Sequence, residues 1–259
     1  MNKKDFIIEN GLLTAYIGKS EYIEVPDEVT AIAEFAFEGN NRIKSVVMPN
    51  SVLEIGTAAF ARCKNLKSVV LSDSLTVIET HLFNGCDNLT EVVLPKDLNN
   101  IQRLAFYHCE SLSRMDLPDG VSYIGADAFH GCRSLESIEL PKGLKRIGDR
   151  AFAFCANLQD VVISEEYFDM GCELFYEASP NIRIEYSGAS DDFVNMIFSE
   201  ERIPRPWEGH AVSHTPTAEN KSRFGYDSAK AFCIEAFCKK DGVRLTFCNA
   251  EHSCLSPNP

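Results

Sequence analysis

The sequence is short of several things. No apolar run approaches the 18 or so residues that cross a bilayer, so membrane insertion is not expected. Cations are scarce: 25 Lys and Arg face 38 Asp and Glu, a formal net charge of −13. That balance argues against nucleic acid and anionic lipid as partners, because both would repel the chain. There is no CxxC pair, G-x-S-x-G elbow, Walker loop, H-E-x-x-H or dinucleotide fingerprint. No enzyme class is indicated, and no cofactor. The start, Met1 to Asn10, has two lysines, but its apolar stretch Phe6–Ile8 ends at Glu9. A secretory core needs about 7 to 15 apolar residues. The expected location is cytoplasmic; a cell-surface or secreted place is the alternative if a leader was trimmed away.

What the sequence does have is a period. Hydrophobic residues make up 45%, enough for a large core. Rungs of 23 residues begin at Val25, Met48, Leu71, Leu94, Leu117, Leu140 and, degenerately, Ile163. Counting each of those as slot 1, slot 8 holds Ile32, Ile55, Ile78, Ile101, Ile124 and Ile147. Slot 13 is Phe in all seven: Phe37, Phe60, Phe83, Phe106, Phe129, Phe152 and Phe175. Slot 16 is Asn40 and then Cys63, Cys86, Cys109, Cys132 and Cys155. Slots 5, 19 and 22 are apolar throughout the first six rungs. One such unit cannot bury its own apolar face, whereas stacked units bury each other's.

The spacing of Leu66, Val69 and Leu71 predicts one strand per rung, paired in parallel with the next rung. Slots 22 and 1 then point inward, while slots 21 and 23 line the concave side. Pro at slot 2 forces an extended turn, and Val52–Ile55 reads as a short second strand on the opposite wall. Gly56–Phe60 suits a brief helical turn. Ala at slot 12 lets backbones approach, so Leu82, which replaces it, is expected to bulge its rung.

The pattern L-P-x-x-L-x-x-I-G-x-x-A-F-x-x-C-x-x-L, cleanest in Leu117 to Phe129, resembles the BspA-like leucine-rich-repeat family. The resemblance covers about residues 25 to 186. It implies a right-handed α/β, β-rich solenoid with a parallel concave sheet. It also implies roles in adhesion or protein binding, often at microbial surfaces, and carries no catalytic residues.

The expected organisation is an N-terminal cap (1–24), the solenoid (25–186) and a C-terminal region (187–259). Asn10-Gly11 predicts a hairpin turn in the first cap. Ile182–Tyr186 reads as a last strand, and Ser190 as the N-cap of a helix to Phe198. Residues 199–229 read as a linker. Two strands, 232–240 and 243–248, are predicted to join through a two-residue Asp241-Gly242 turn, with Ile234, Ala236, Cys238, Val243, Leu245 and Phe247 on one face. That face must dock on something, because a lone hairpin is marginal.

The ladder cysteines read as small buried hydrophobes. Cys238, Cys248, His252 and Cys254 have a spacing that suggests zinc, weakened because Cys238 and Cys248 lie on opposite strand faces. Cys233 and Cys248 share a face and would cross-link diagonally if oxidised. His81, His108 and His130 occupy different slots and read as separate loop residues. The expected docking face is the concave one. There the stripe Val47, Val70, Val93 meets the polar Ser68 and Glu91 and runs into Arg114, Asp116 and Glu139. Three functions follow. The first is an interaction module for an unidentified protein partner. The second is a surface-adhesion or carbohydrate module, which calls for a row of exposed aromatics that the slots do not show. The third is a small hydrolase in the tail.

Overall fold

The structure, a computed structural model, describes residues 3–164, 169–171, 173–188, 213–214, 233–240 and 242–248. The predicted rungs stack in register. Strands Tyr22–Glu24, Ser45–Val47, Ser68–Val70 and Glu91–Val93 form one parallel wall, each residue beside its counterpart 23 positions on. Ser137–Leu140, Asp160–Ile163 and Asn181–Tyr186 continue it as a second sheet. On the opposite wall, two-residue strands such as Asn100–Ile101 and Tyr123–Ile124 pair in the same parallel way. Val46, Val69, Met48 and Leu71 are buried between the walls. Seven phenylalanines form one column, with neighbouring ring centroids 4.6 to 5.9 Å apart.

The expected helical turn over slots 9 to 13 does not form. Among the described residues the only helical element is the 3-10 turn Lys3–Asp5. The reason lies in the hydrogen bonds. Even-slot amides bond within the rung, as Leu82 N–H does to Glu79 O and Asn84 N–H to His81 O. Odd-slot amides cross to the next rung: His81 to Arg103, Phe83 to Ala105, Gly85 to Tyr107. A helix would turn every amide back into its own rung and lose this third ladder. The alternation requires a left-handed backbone at slots 11 and 15. Slot 11 has φ between 52° and 59° in all seven rungs, always on a side chain, from Phe35 to Glu173. Slot 15 carries Gly39, Gly85 and Gly131 in three rungs and side chains in the others.

Leu82 does not bulge its rung. It is fully buried, and Phe60 N–H still reaches Leu82 O at 3.1 Å. The extra volume is taken up by spacing: the Phe60 and Phe83 rings stand 5.8 Å apart, against 4.6 Å for Phe37 and Phe60.

At the N-terminus, Phe6–Glu9 and Leu12–Tyr16 form the predicted antiparallel hairpin around Asn10 and Gly11, both at positive φ. Leu12–Tyr16 pairs onward with Ala31–Ile32 and so starts the short-strand wall. At the other end the hairpin Cys233–Cys238 and Val243–Cys248 docks on the solenoid, its first strand parallel to Asn181–Tyr186. Its turn is longer than two residues. Cys238 pairs with Val243, and Gly242 N–H closes on Cys238 O at 2.9 Å. The register therefore slips by two from the Asp241-Gly242 expectation. A slip of two preserves the alternation of the strands, because the strand period is two. Cys233 and Cys248 become direct register partners instead of diagonal ones. Ser213–His214, expected in a linker, is a strand beside Val243–Cys248. The expected helix 190–198 and the rest of 199–229 lie outside the described residues. No described helix is long and apolar enough to cross a membrane.

Candidate functional site

The long-strand wall carries the residues singled out as the concave face. Alternation along each strand turns slots 21 and 23 outward. Val47, Val70 and Val93 are 41%, 37% and 46% exposed, in adjacent strands and in register. Tyr22 extends the row of slot 21 and is more exposed still. Beside the valines, Ser68 donates its hydroxyl to Ser45 at 3.0 Å. The apolar stripe is thus real surface, flanked by small hydroxyls and by Glu91.

The charged end is built differently from the expectation of one continuous sheet. Residues 113–117 form no strand, and the wall divides there. Slots 21 to 23 read Arg114, Met115, Asp116 in that rung, where its neighbours carry branched residues suited to strands. Arg114 Nε instead donates to Asp116 Oδ1 at 2.8 Å, both side chains largely exposed. Such a pair adds little stability. Beyond the break, Arg183 grips Asp160 with two bonds of 2.8 Å. Glu139 receives a long contact, 3.4 Å, from the Ser164 hydroxyl. The site residues therefore fall on two sheet segments, with Arg114 and Asp116 at the joint.

The cysteine column is closed to chemistry. Each Sγ–H from Cys63 to Cys155 donates to the Phe carbonyl 26 residues earlier, at 3.0 to 3.3 Å. Burial pushes the Cys63 and Cys155 thiols up to about 12 and the three between them well above their usual range. A thiol is nucleophilic only as thiolate. Of the ten cysteines, these five and Cys238 are buried, leaving four others. Titration of the native protein with an aromatic disulfide is expected to give no more than four fast thiols, with the five thiols of the column appearing only in denaturant. A fifth fast thiol would show that the column opens.

The register keeps Cys238 and Cys248 apart. Cys238 sits at the turn end of the hairpin and Cys248 at the open end. Five residues of strand separate them, roughly 16 Å. His252 and Cys254 lie outside the described residues.

The histidines are a second correction. They are not separate loop residues. Tyr107 stacks on His130 at 4.8 Å, His130 lies tilted against Phe154 at 4.9 Å, and Phe154 meets Tyr176 edge-on at 5.6 Å. His108 lies 5.7 Å from His130. Slots 14 and 15 of rungs four to seven thus supply an aromatic row on the flank, which the sequence reading had not found. The rings meet at mixed angles, from stacked to edge-on, and so form no flat platform for a sugar. Beneath them Asp127 is buried and receives Arg150 through Nε and Nη2 at 3.2 and 3.4 Å. Burial holds His130 below the usual imidazole range. His81 stands apart, its Nδ1 2.9 Å from Asn84 Nδ2.

Comparisons with known proteins agree with the repeat. The profile of the BspA type leucine rich repeat region matches in six copies over residues 14–114 and 100–204. Among solved structures, a leucine-rich repeat protein of T. pallidum is 27% identical over 72% of this chain and 85% of that one, with a TM-score of 0.44. One from Bacteroides ovatus is 23% identical over 72% of this chain and 68% of its own, with a TM-score of 0.45. One from Eubacterium ventriosum is 22% identical over 58% and 50%, with a TM-score of 0.49. Among curated proteins none matches. With the 23-residue pattern running through most of its length, the chain belongs to the BspA-type leucine-rich-repeat family.

Proposed function

We propose that this is a non-catalytic binding protein that seats a protein partner on its long-strand wall. The observation that carries the reading is the valine stripe. Three large apolar side chains stand exposed at equivalent positions in adjacent strands, although slot 23 holds Asp116 and Glu139 in later rungs. Contiguous exposed apolar surface rimmed by polar groups is the usual mark of an interaction face. Ser68 and Glu91 form the near rim of the docking face, and Arg114, Asp116 and Glu139 the far one. Neither the adhesion reading nor the tail-hydrolase reading has comparable support. The flank rings meet at mixed angles and form no flat platform, and most of the tail proposed for hydrolysis lies outside the described residues.

The test is capture of partners from a lysate of the source cells with the wild type and the Val70→Glu/Val93→Glu double variant. Both residues are exposed, so the fold should survive, as circular dichroism will show. A carboxylate forced into an apolar contact costs more than the roughly 1.4 kcal/mol that equals tenfold in affinity. Recovery of the principal partner is expected to drop at least tenfold. Equal recovery by both proteins would remove the stripe from the site. Fractionation of the same cells separates a cytoplasmic partner from a surface one.

A further inference from the structure

We propose that His108 and His130 form a two-imidazole site for a late first-row divalent cation such as Zn2+, Ni2+ or Cu2+, independent of the valine stripe. The rings come from adjacent rungs, and their centroids are 5.7 Å apart. Metal–nitrogen bonds of about 2.1 Å let one ion bridge imidazoles whose centres are separated by up to roughly 6.5 Å. Each ring has a carboxylate behind its Nδ1. Glu110 Oε1 is 3.4 Å from Nδ1 of His108, and Asp127 Oδ1 is 3.2 Å from Nδ1 of His130. A carboxylate beside one ring nitrogen favours the proton there and leaves the other nitrogen for a metal, the arrangement usual behind metal-binding histidines.

The remaining geometry agrees. Nδ1 of His130 is enclosed, and its 3.2 Å contact with Asp127 falls short of a full hydrogen bond. The nitrogen left for a ligand is therefore Nε2. Asp127 is also held by Arg150, through the Oδ1 that faces His130 and through Oδ2, so it remains a second-row carboxylate and is not free to ligate. Gly131 makes room for His108: a Cβ there would come within 3.0 Å of Nδ1 of His108. Tyr107 stacks on the His130 ring and Phe154 lies tilted against it, which restricts its direction. No group of three or more His, Cys, Asp or Glu among the described residues is arranged to hold a metal, so water completes the coordination. Two imidazoles and water suit the metals named and disfavour Ca2+ and Mg2+, which take oxygen ligands.

The experiment is calorimetric titration of the full chain with Ni2+, after alkylation of the accessible thiols, in wild type, His108→Ala, His130→Ala and His81→Ala. One equivalent of Ni2+ is expected to be lost or weakened tenfold or more in both of the first two variants and retained in the third. Glu110→Gln leaves both ligands in place and is expected to lower the same affinity about tenfold, within the range for outer carboxylates. Cu2+ spin resonance adds a readout that misfolding does not mimic: two equivalent nitrogens in the wild type, and one in either single variant. If His108→Ala and His130→Ala bind Ni2+ as the wild type does, or if only one of them is affected, the two rings do not share an ion and the proposal is overturned.

Discussion

Phe106→Ala is expected to lower the unfolding free energy by about 3–5 kcal/mol, the range for truncating a fully buried phenylalanine. Phe106 is wholly enclosed in a central rung, its ring 5.4 Å from Phe83 and 5.1 Å from Phe129. The neighbourhood has little means of collapsing on the cavity. Ala105 and Ala128 have nothing to extend into it, and the backbone on both sides is tied rung to rung: Phe83 N–H to Ala105 O, and Phe106 N–H to Ala128 O, both at 2.8 Å. In a solenoid each rung is held only by its neighbours, so the loss falls on two interfaces at once. Urea unfolding followed by circular dichroism measures it. A loss below roughly 1 kcal/mol would mean that the column is not the core. A transition that splits in two would show that the variant has uncoupled the halves of the stack, which the wild type should not do.

The same column shows why so much of the fold was readable. A residue and its equivalent 23 positions on are spatial neighbours, so each apolar slot could be checked in every rung. Phe37 to Phe175, Cys63 to Cys155 and the valine stripe all lie along that single vector. What was missed lies off it. His108 and His130 are 22 residues apart, one slot out of phase, and meet diagonally across rungs. Tyr107 and His130 are in phase at slot 14, and tabulating that slot would have found them. The break at residues 113–117 was half legible, since Met115 and Asp116 are the weakest strand formers in their columns. The left-handed backbone at slot 15 had a signal in Gly39, Gly85 and Gly131. Slot 11 had none, because no glycine occupies it and the ladder alone imposes its φ. The flank site therefore follows from packing between rungs and not from any local motif.

Gly148→Ala is expected to cost about 3 kcal/mol, a large effect for one methyl group and at the upper end of ordinary overpacking. Slot 9 is where one rung lies closest to the rung before it. A Cβ on Gly148 would come within 2.7 Å of Ala126 Cα and 2.8 Å of Gly125 C, and closer still to Ala126 N. All three are backbone atoms and have no rotamer through which to yield. Gly125 and Gly171 repeat the approach on neighbouring rungs, so moving one rung aside presses on the next. Gln102 occupies the same slot two rungs earlier, so the architecture tolerates a side chain where the local spacing has been set for one. Gly148 itself is tied by its N–H to Ile124 O at 2.7 Å and cannot retreat without losing that bond. Gly39→Ala separates this cause from glycine's backbone freedom. Gly39 has φ +66° but open space around it, so its substitution should cost only the left-handed penalty, about 1–2 kcal/mol. Urea midpoints for the two variants decide the matter. If Gly148→Ala were the milder of the pair, close contact between rungs would not be what places glycine at slot 9, and the tight stacking of the short-strand wall would have to be given up with it.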